Sequence, residues 1–122
     1  MYFLFCSTLL CFACGENDFL MTEFYVKNTS NKTISFEASI IKSSQISGPY
    51  EVSLPFTVYA NDSVLARKIE FVKDGKNPQK WFHRFTIQPV EGIQMNDPNL
   101  PENWIKYDKN GTPIYVFTLN KN

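Results

Sequence analysis

Residues 51–58 read EVSLPFTV, and this stretch decides the fold class. Apolar side chains alternate there with polar ones, and the apolar set is Val52, Leu54, Phe56 and Val58. A period of two places the sets on opposite faces, which is typical of a half-buried β-strand. Because proline donates no hydrogen bond to a neighbouring strand, Pro55 predicts a position at a sheet edge or a bulge.

The same alternation recurs upstream of this stretch. Phe24 and Val26 begin it, and a polar turn over residues 28–32 follows. The next apolar positions, all of one parity, are Ile34, Phe36, Ala38 and Ile40. Two strands joined by a turn are therefore predicted before residue 41.

Further strands are predicted downstream. Residues 65–71 place Leu65, Arg67, Ile69 and Phe71 on one parity, and Trp81 to Ile87 forms another strand. Residues 104–107 and 114–119 flank the segment 108–111, DKNG. Asn and Gly tolerate positive φ, so this segment predicts a hairpin turn. Residues 89–101 break the pattern and predict an irregular connection or one short helical turn.

About seven strands at intervals of roughly 8–14 residues are typical of a β-sandwich or small barrel. No sustained 3.6-residue apolar stripe indicates a long helix. We expect an all-β, antiparallel β-sandwich. The strand count and the Pro- and Asn-rich corners resemble immunoglobulin-like modules of the bacterial surface, over most of residues 20–122.

Length and charge narrow the function classes. The chain has 122 residues, with 12 basic against 12 acidic side chains, which fits one domain. Neutral charge with only two arginines argues against nucleic acid as a partner, because phosphate binding needs a net positive face. All three cysteines lie within the first 14 residues. The remainder offers no thiol nucleophile, zinc-type cluster or disulfide, and we expect no cofactor.

The amino terminus is predicted to be an export signal. Residues 2–13, YFLFCSTLLCFA, form an uncharged run of twelve. A membrane-spanning helix needs about 20 apolar residues, so this run suits the core of a signal peptide. A buried first strand or helix of the domain is the alternative.

Cys14 follows the small residue Ala13 and precedes Gly15, Glu16, Asn17 and Asp18. This segment resembles the lipobox of bacterial lipoproteins, and its acidic part resembles the surface-export signal of Bacteroidota lipoproteins. The resemblance implies a signal peptide at 1–13, lipidation at Cys14, a tether at 14–20 and a domain at 21–122. It also implies an outer-membrane anchor, with the domain periplasmic or surface-exposed.

The segment 81–85, WFHRF, is the most distinctive polar and aromatic cluster. On a strand, Trp81 and Phe85 share one face while Phe82 and Arg84 share the other. If the first pair is buried with Ile87, then Phe82 and Arg84 form an outward contact patch for a sugar ring or a protein. The alternative is that the loop 89–103 covers this second face.

Catalytic and metal sites are not predicted. His83 is the single histidine, and as a general base it needs a carboxylate such as Glu70, Asp97 or Glu102 within reach. Residues 108–111 resemble the start of a calcium loop but lack its Glu ligand, so the hairpin explains them. We expect a structural or surface histidine and no metal.

The sequence contains two kinds of modification motif. The triplet Asp62-Ser63-Val64 resembles the O-glycosylation motif of exported Bacteroidota proteins, with the Ser63 hydroxyl as acceptor. Asn-x-Ser/Thr triplets begin at Asn28, Asn31, Asn61 and Asn110. In a bacterial lipoprotein these favour turn chemistry over glycan attachment.

The expected function is a lipid-anchored, non-enzymatic binding or structural module of the cell envelope. Its partner would be an envelope protein, a glycan or a host surface molecule. An inhibitor or immunity-type lipoprotein with a protruding loop, at 89–103, is one alternative. A small envelope hydrolase that uses His83 is another.

Overall fold

The computed structural model describes residues 21–69 and 77–121. The predicted signal peptide, Cys14, the tether, Glu70 and Phe71 lie outside them. The described residues form seven strands: β1 (Thr22–Asn28), β2 (Ile34–Ser44), β3 (Gly48–Val58), β4 (Asp62–Ile69), β5 (Arg84–Ile87), β6 (Trp104–Lys109) and β7 (Thr112–Thr118). Short 3-10 turns span Pro78–Trp81 and Pro101–Asn103. Within the described ranges, no helix has the length and apolar character needed to cross a membrane.

The strands build two sheets. One has four strands in the order β4-β1-β7-β6, and the other has three in the order β3-β2-β5. All pairs are antiparallel except β1 with β7. This arrangement confirms the predicted all-β sandwich. Its β2–β5 and β6–β7 pairs match the B–E and F–G neighbours of immunoglobulin domains. Two strands differ, because β3 lies beside β2 whereas strand C lies beside F, and β4 lies beside β1 whereas strand D lies beside E.

The core between the sheets is aromatic. Phe24 on β1 stacks on Tyr115 at 5.3 Å between ring centroids and meets the Phe82 ring edge-on at 5.6 Å. Phe82 in turn stacks on Trp104 at 5.5 Å. Offset and edge-to-face contacts of this kind add stability beyond the area they bury. These contacts join the four-stranded sheet to the segment that leads into β5.

Two local predictions are confirmed. The strand with Pro55 is β3, which lies at the edge of the three-stranded sheet. The turn between β6 and β7 contains Asn110 and Gly111 with φ of 54° and 86°. Two successive positive φ values fit the right-handed twist of a tight hairpin, and Asn and Gly adopt them at low cost.

The strand predicted over Trp81 to Ile87 is wrong in its first three residues. The 3-10 turn ends at Trp81 and β5 begins only at Arg84, so the two-residue alternation does not extend back through the segment. Phe82 consequently points into the core and is 7% exposed, whereas Trp81 is only partly buried. Phe85 and Ile87 do pack against the core, as predicted.

The predicted alternation of β4 is interrupted by a bulge. Phe24 pairs with Arg67 and Tyr25 pairs with Leu65, which leaves Ala66 as an extra residue between them. A bulge of this type changes which face the following side chains take. Leu65 therefore lies on the outer face at 42% exposure. Arg67 is instead the strand partner of the buried Phe24.

Candidate functional site

The outer face of the three-stranded sheet carries an open polar groove. Its lining comes from all three strands and consists of Glu37, Ser39, Glu51, Ser53, Arg84 and Thr86. The groove encloses about 310 Å³. Each residue occupies the outward parity of its strand, opposite to core residues such as Phe36 and Phe56.

An ion pair spans this groove. Arg84 Nε on β5 lies 3.4 Å from Glu51 Oε2 on β3, so the pair bridges over the central strand β2. Ser39 is the β2 residue paired with Arg84, and it is 2% exposed although it faces outward. The long side chains of the pair therefore shield a small polar residue on the floor of the groove.

The Glu51 carboxylate is held in its charged form. Its pKa is lowered chiefly by the Ser39 hydroxyl, and also by the positive charges of Arg84 and His83. The buried Ser39 Oγ nevertheless has no hydrogen-bond partner of regular geometry among the described residues. Its contact with Glu51 is thus a looser one, which leaves hydrogen-bonding capacity at the groove floor.

A second cavity of about 410 Å³, which we call the Arg67 pocket, adjoins the groove. Its lining residues are Ile41, Arg67, Lys80, Trp81, Phe82 and His83. The two sites meet where the His83 amide donates a hydrogen bond to the Ser39 carbonyl at 2.8 Å. Ile41 is also the β2 partner of Glu51, so one strand pair supplies both cavities.

Arg67 is fixed at one wall of this pocket. The bulge in β4 directs it toward the 3-10 turn, where its Nη1 donates a hydrogen bond to the Trp81 carbonyl. Its Cζ lies 6.0 Å from the centroid of the Trp81 ring, within cation–π range. Partial burial lowers the pKa of Arg67, but a guanidinium stays protonated at physiological pH.

The joined sites have a charge gradient. The groove places the carboxylates of Glu37 and Glu51 beside a single cation, Arg84. The Arg67 pocket contains two permanent cations, Arg67 and Lys80, and the imidazole of His83. A ligand that spans both would meet hydrogen-bond acceptors at one end and positive charge at the other.

Comparisons with known proteins return no match. A scan of protein-family models, a search of curated proteins and a search of solved structures all gave this result for the chain.

The predicted site residues are dispersed. Arg84 is exposed and lines the groove, but the Phe82 ring packs in the core, so the two do not form the outward patch that a buried Trp81 would have implied. The correction follows from the 3-10 turn described above. Ser63 is exposed at the start of β4, and its amide donates to Asp62 Oδ1 at 2.8 Å.

His83 lies in a different setting from the one that a hydrolase would need. It is exposed, and the carboxylate whose charge it influences is Glu51. Asp97 and Glu102 line neither cavity. Within the described ranges, no group of three or more His, Cys, Asp or Glu side chains is placed to hold a metal ion.

Sequence reasoning missed Glu37, Ser39, Glu51 and Arg67 as site residues. The first three occupy the polar parity of β2 and β3, a signal that marks an outward face but gives no function. The β2–β3 pair brings these three together, but their meeting with Arg84 depends on β5 pairing with β2 across more than 40 intervening residues. Arg67 depends on the Ala66 bulge, for which the sequence gives no signal.

Proposed function

We propose that this protein is a lipid-anchored, non-enzymatic binding module of the cell envelope, and that its ligand is a glycan with an acidic group. The observation that carries the proposal is the Glu51–Arg84 pair above Ser39, in a groove that runs into the Arg67 pocket. The anchor is supported by the lipobox-like segment around Cys14.

The groove has the chemistry that sugar hydroxyl groups need. Each hydroxyl is at once a donor and an acceptor. Glu37 and Glu51 accept hydrogen bonds, Arg84 donates them, and the hydroxyls of Ser39, Ser53 and Thr86 can do either. An open groove with mixed donors and acceptors fits a polyhydroxylated chain better than an apolar ligand.

The Arg67 pocket supplies the preference for an acidic group. Arg67 is held in place by the Trp81 carbonyl, so less side-chain entropy is lost when it binds an anion. Lys80 adds a second cation to the lining of this pocket. A carboxylate or sulfate on a sugar ring would gain charge-assisted hydrogen bonds there.

Titration calorimetry on the membrane-extracted full chain tests this proposal. The probes are tetragalacturonate, a chondroitin sulfate tetrasaccharide and sialyllactose, each compared with neutral galactotetraose. We expect at least one acidic probe to bind with at least tenfold higher affinity than the neutral one. Lys80→Gln should weaken that binding several-fold, while the matched control Lys106→Gln on β6 should leave it unchanged. Equal affinity for acidic and neutral probes would contradict the proposal.

The anchor is tested separately by intact mass. We expect the membrane-extracted protein to have the mass of residues 14–122 plus acyl groups, and Cys14→Ser to release it from membranes. Outer-membrane anchoring, with the domain periplasmic or surface-exposed, is part of the same proposal. If Ser63 is O-glycosylated in a Bacteroidota host, Ser63→Ala removes the mass of the glycan. Retention of the Cys14→Ser variant in the membrane would refute the anchor.

One observation favours the inhibitor-type alternative. The loop 89–103 is held against the sandwich, since Asn96 Nδ2 donates to the carbonyls of Thr118 and Asn120 at 2.8 and 3.1 Å. Its outer part presents Leu100 at 41% exposure. An ordered loop with an exposed apolar residue suits insertion into a protein partner. Leu100→Asp should then abolish inhibition of the target and leave glycan binding intact.

The hydrolase alternative is tested with the same probes. If the protein cleaves an acidic oligosaccharide and His83→Ala loses this activity, the function is catalysis and not binding alone. Chromatography of each probe after prolonged incubation with the protein measures this directly.

A further inference from the structure

The outer face of the four-stranded sheet is apolar. One row of paired residues crosses all four strands, because Leu65 pairs with Tyr25, Tyr25 with Val116, and Val116 with Ile105. The next row adds Ile114, which pairs with Tyr107. We call these six residues the sheet face.

The sheet face is open to solvent. Leu65, Ile105 and Tyr107 are 42%, 49% and 55% exposed. The uncovered side of an antiparallel sheet is normally polar, with apolar residues confined to the core side. A contiguous apolar surface with polar edges is typical of an interaction site.

Positive charge surrounds the sheet face. The charged side chains on the outward parity of these strands are Lys27, Lys68, Lys109 and Glu23, three cations against one carboxylate. Lys68 Nζ lies 3.8 Å from Glu23 Oε2, and Tyr25 donates a hydrogen bond to Glu23 Oε1 at 3.0 Å. Lys68 thus offsets the charge of Glu23, which leaves Lys27 and Lys109 as the net positive charge beside the sheet face. Two copies packed face to face would bring like charges together, whereas an anionic surface complements them.

The position of Cys14 makes a lipid surface the nearest such partner. Seven peptide bonds separate it from Met21, which spans at most about 25 Å of extended chain. Met21 leads directly into β1, a central strand of this sheet. A lipid on Cys14 would therefore hold the start of β1, and with it the sheet face, within about 25 Å of the bilayer surface.

We propose that the sheet face docks on the headgroup region of an anionic bilayer, as a second membrane contact beside the lipid on Cys14. This inference rests on the proposed anchoring. Tyr25 and Tyr107 suit the interface because their rings are apolar and their hydroxyl groups polar. Lys27 and Lys109, which have no acidic partner among the described residues, extend past the apolar residues to anionic headgroups. A lipid chain with a basic and apolar patch holds a protein more stably than one signal alone.

Quenching by brominated lipid tests the docking. The full chain with Tyr107→Trp is compared with the matched control Tyr59→Trp, because Tyr59 is 64% exposed and lies outside the sheet face. Vesicles contain phosphatidylethanolamine and phosphatidylglycerol with brominated acyl chains, and the wild-type emission of Trp81 and Trp104 is subtracted. We expect the indole introduced at position 107 to be quenched at least twofold more than the one at position 59.

Each outcome separates docking from anchoring. An acylated chain with equal quenching at both positions overturns the docking and leaves the anchor in place. A chain without acyl groups that still shows selective quenching at position 107 refutes the anchor and supports the docking. If the quenching at position 107 is unchanged when phosphatidylcholine replaces phosphatidylglycerol in the vesicles, the proposed contact of the lysines with anionic headgroups is overturned. A dimer in sedimentation velocity that Ile105→Thr abolishes would assign the sheet face to a second copy and overturn the proposal.

Discussion

Arg67 Nη1 donates a hydrogen bond to the Trp81 carbonyl, and the Arg67 Cζ lies 6.0 Å from the centroid of the Trp81 ring. Arg67 belongs to β4, an edge strand of the four-stranded sheet. Trp81 ends the 3-10 turn that leads toward β5 of the other sheet. This one contact therefore connects the two sheets along one side of the sandwich and shapes the Arg67 pocket.

Arg67→Lys should destabilise the domain by about 1–2 kcal/mol, because a hydrogen bond from a charged donor to a partly buried carbonyl is lost. A lysine retains the charge but not the planar donor group. Guanidinium chloride unfolding followed by tryptophan fluorescence measures the change. The control is Lys68→Ala. The Lys68 side chain is 48% exposed in a surface ion pair, so the expected loss of stability is at most about 0.5 kcal/mol. Equal losses in both variants would deny Arg67 its structural role.

Phe82→Ala should cost about 3–5 kcal/mol, as for other large aromatic residues truncated in a core. Phe82 is 7% exposed and contacts the rings of Phe24, Phe85 and Trp104. Trp81→Ala should cost less because that ring is only partly buried. Thermal unfolding of the two variants beside Tyr59→Ala gives the ranking. A larger loss for Trp81→Ala would restore the orientation predicted from the sequence.

The sandwich itself was predictable because β1, β2 and β3 alternate cleanly. Residues 51–58 keep a strict period of two, and Val58 is fully buried at the end of that strand. The hairpin at residues 108–111 was predictable because Asn110 and Gly111 adopt positive φ. These features depend on neighbouring residues only, so the local sequence contains the information.

The Arg67 pocket was not predictable because it depends on departures from regularity, and the groove was not predictable because it depends on which strands pair. The bulge at Ala66 turns Arg67 toward the 3-10 turn, and that turn sends Phe82 into the core. Strand pairing decides the rest, since Glu51 and Arg84 meet only when β3 and β5 flank β2. Tertiary packing selects both kinds of feature, and a period of two contains no information about either.

The stability of the domain should depend on Glu51 at acid pH. The pKa of Glu51 is lowered in the folded state from a usual value of 4.5, first by Ser39 and then by Arg84 and His83. A lowered folded pKa contributes stability that is present above the unfolded value and is lost as pH falls through the folded one. The Glu51→Gln variant should therefore lose less stability than the wild type as the pH falls from about 5 to about 3.

Urea midpoints at half-unit pH steps measure the Glu51 effect. Glu102→Gln in the second 3-10 turn removes one carboxylate elsewhere and controls for the change in net charge. If stability falls as steeply with decreasing pH in Glu51→Gln as in the wild type, the Ser39 and Arg84 contacts do not favour the carboxylate.

Asn28 connects the two sheets near the other end of the β1–β4 pair, where it lies opposite Asp62. It is fully buried at the end of β1, and its Nδ2 donates to the Lys32 carbonyl at 2.7 Å and to the Val58 carbonyl of β3 at 2.9 Å. Its Oδ1 accepts from the Ser30 amide at 2.9 Å and the Ser30 hydroxyl at 2.7 Å. This confirms that the Asn28 triplet serves turn chemistry.

Asn28→Asp should cost about 3 kcal/mol at neutral pH, because a carboxylate cannot donate to the Val58 carbonyl and is buried without a cation. The matched control Asn31→Asp makes the same substitution at an exposed position of the same turn and should be nearly neutral. Burial raises the pKa of an unpaired carboxyl, so the deficit of Asn28→Asp should shrink as pH falls and the protonated acid regains a donor. Urea unfolding at pH 7 and pH 4 measures both effects. A deficit that is equal at the two pH values, or equal in the two variants, would show that Asn28 does not connect the sheets through its donated hydrogen bonds.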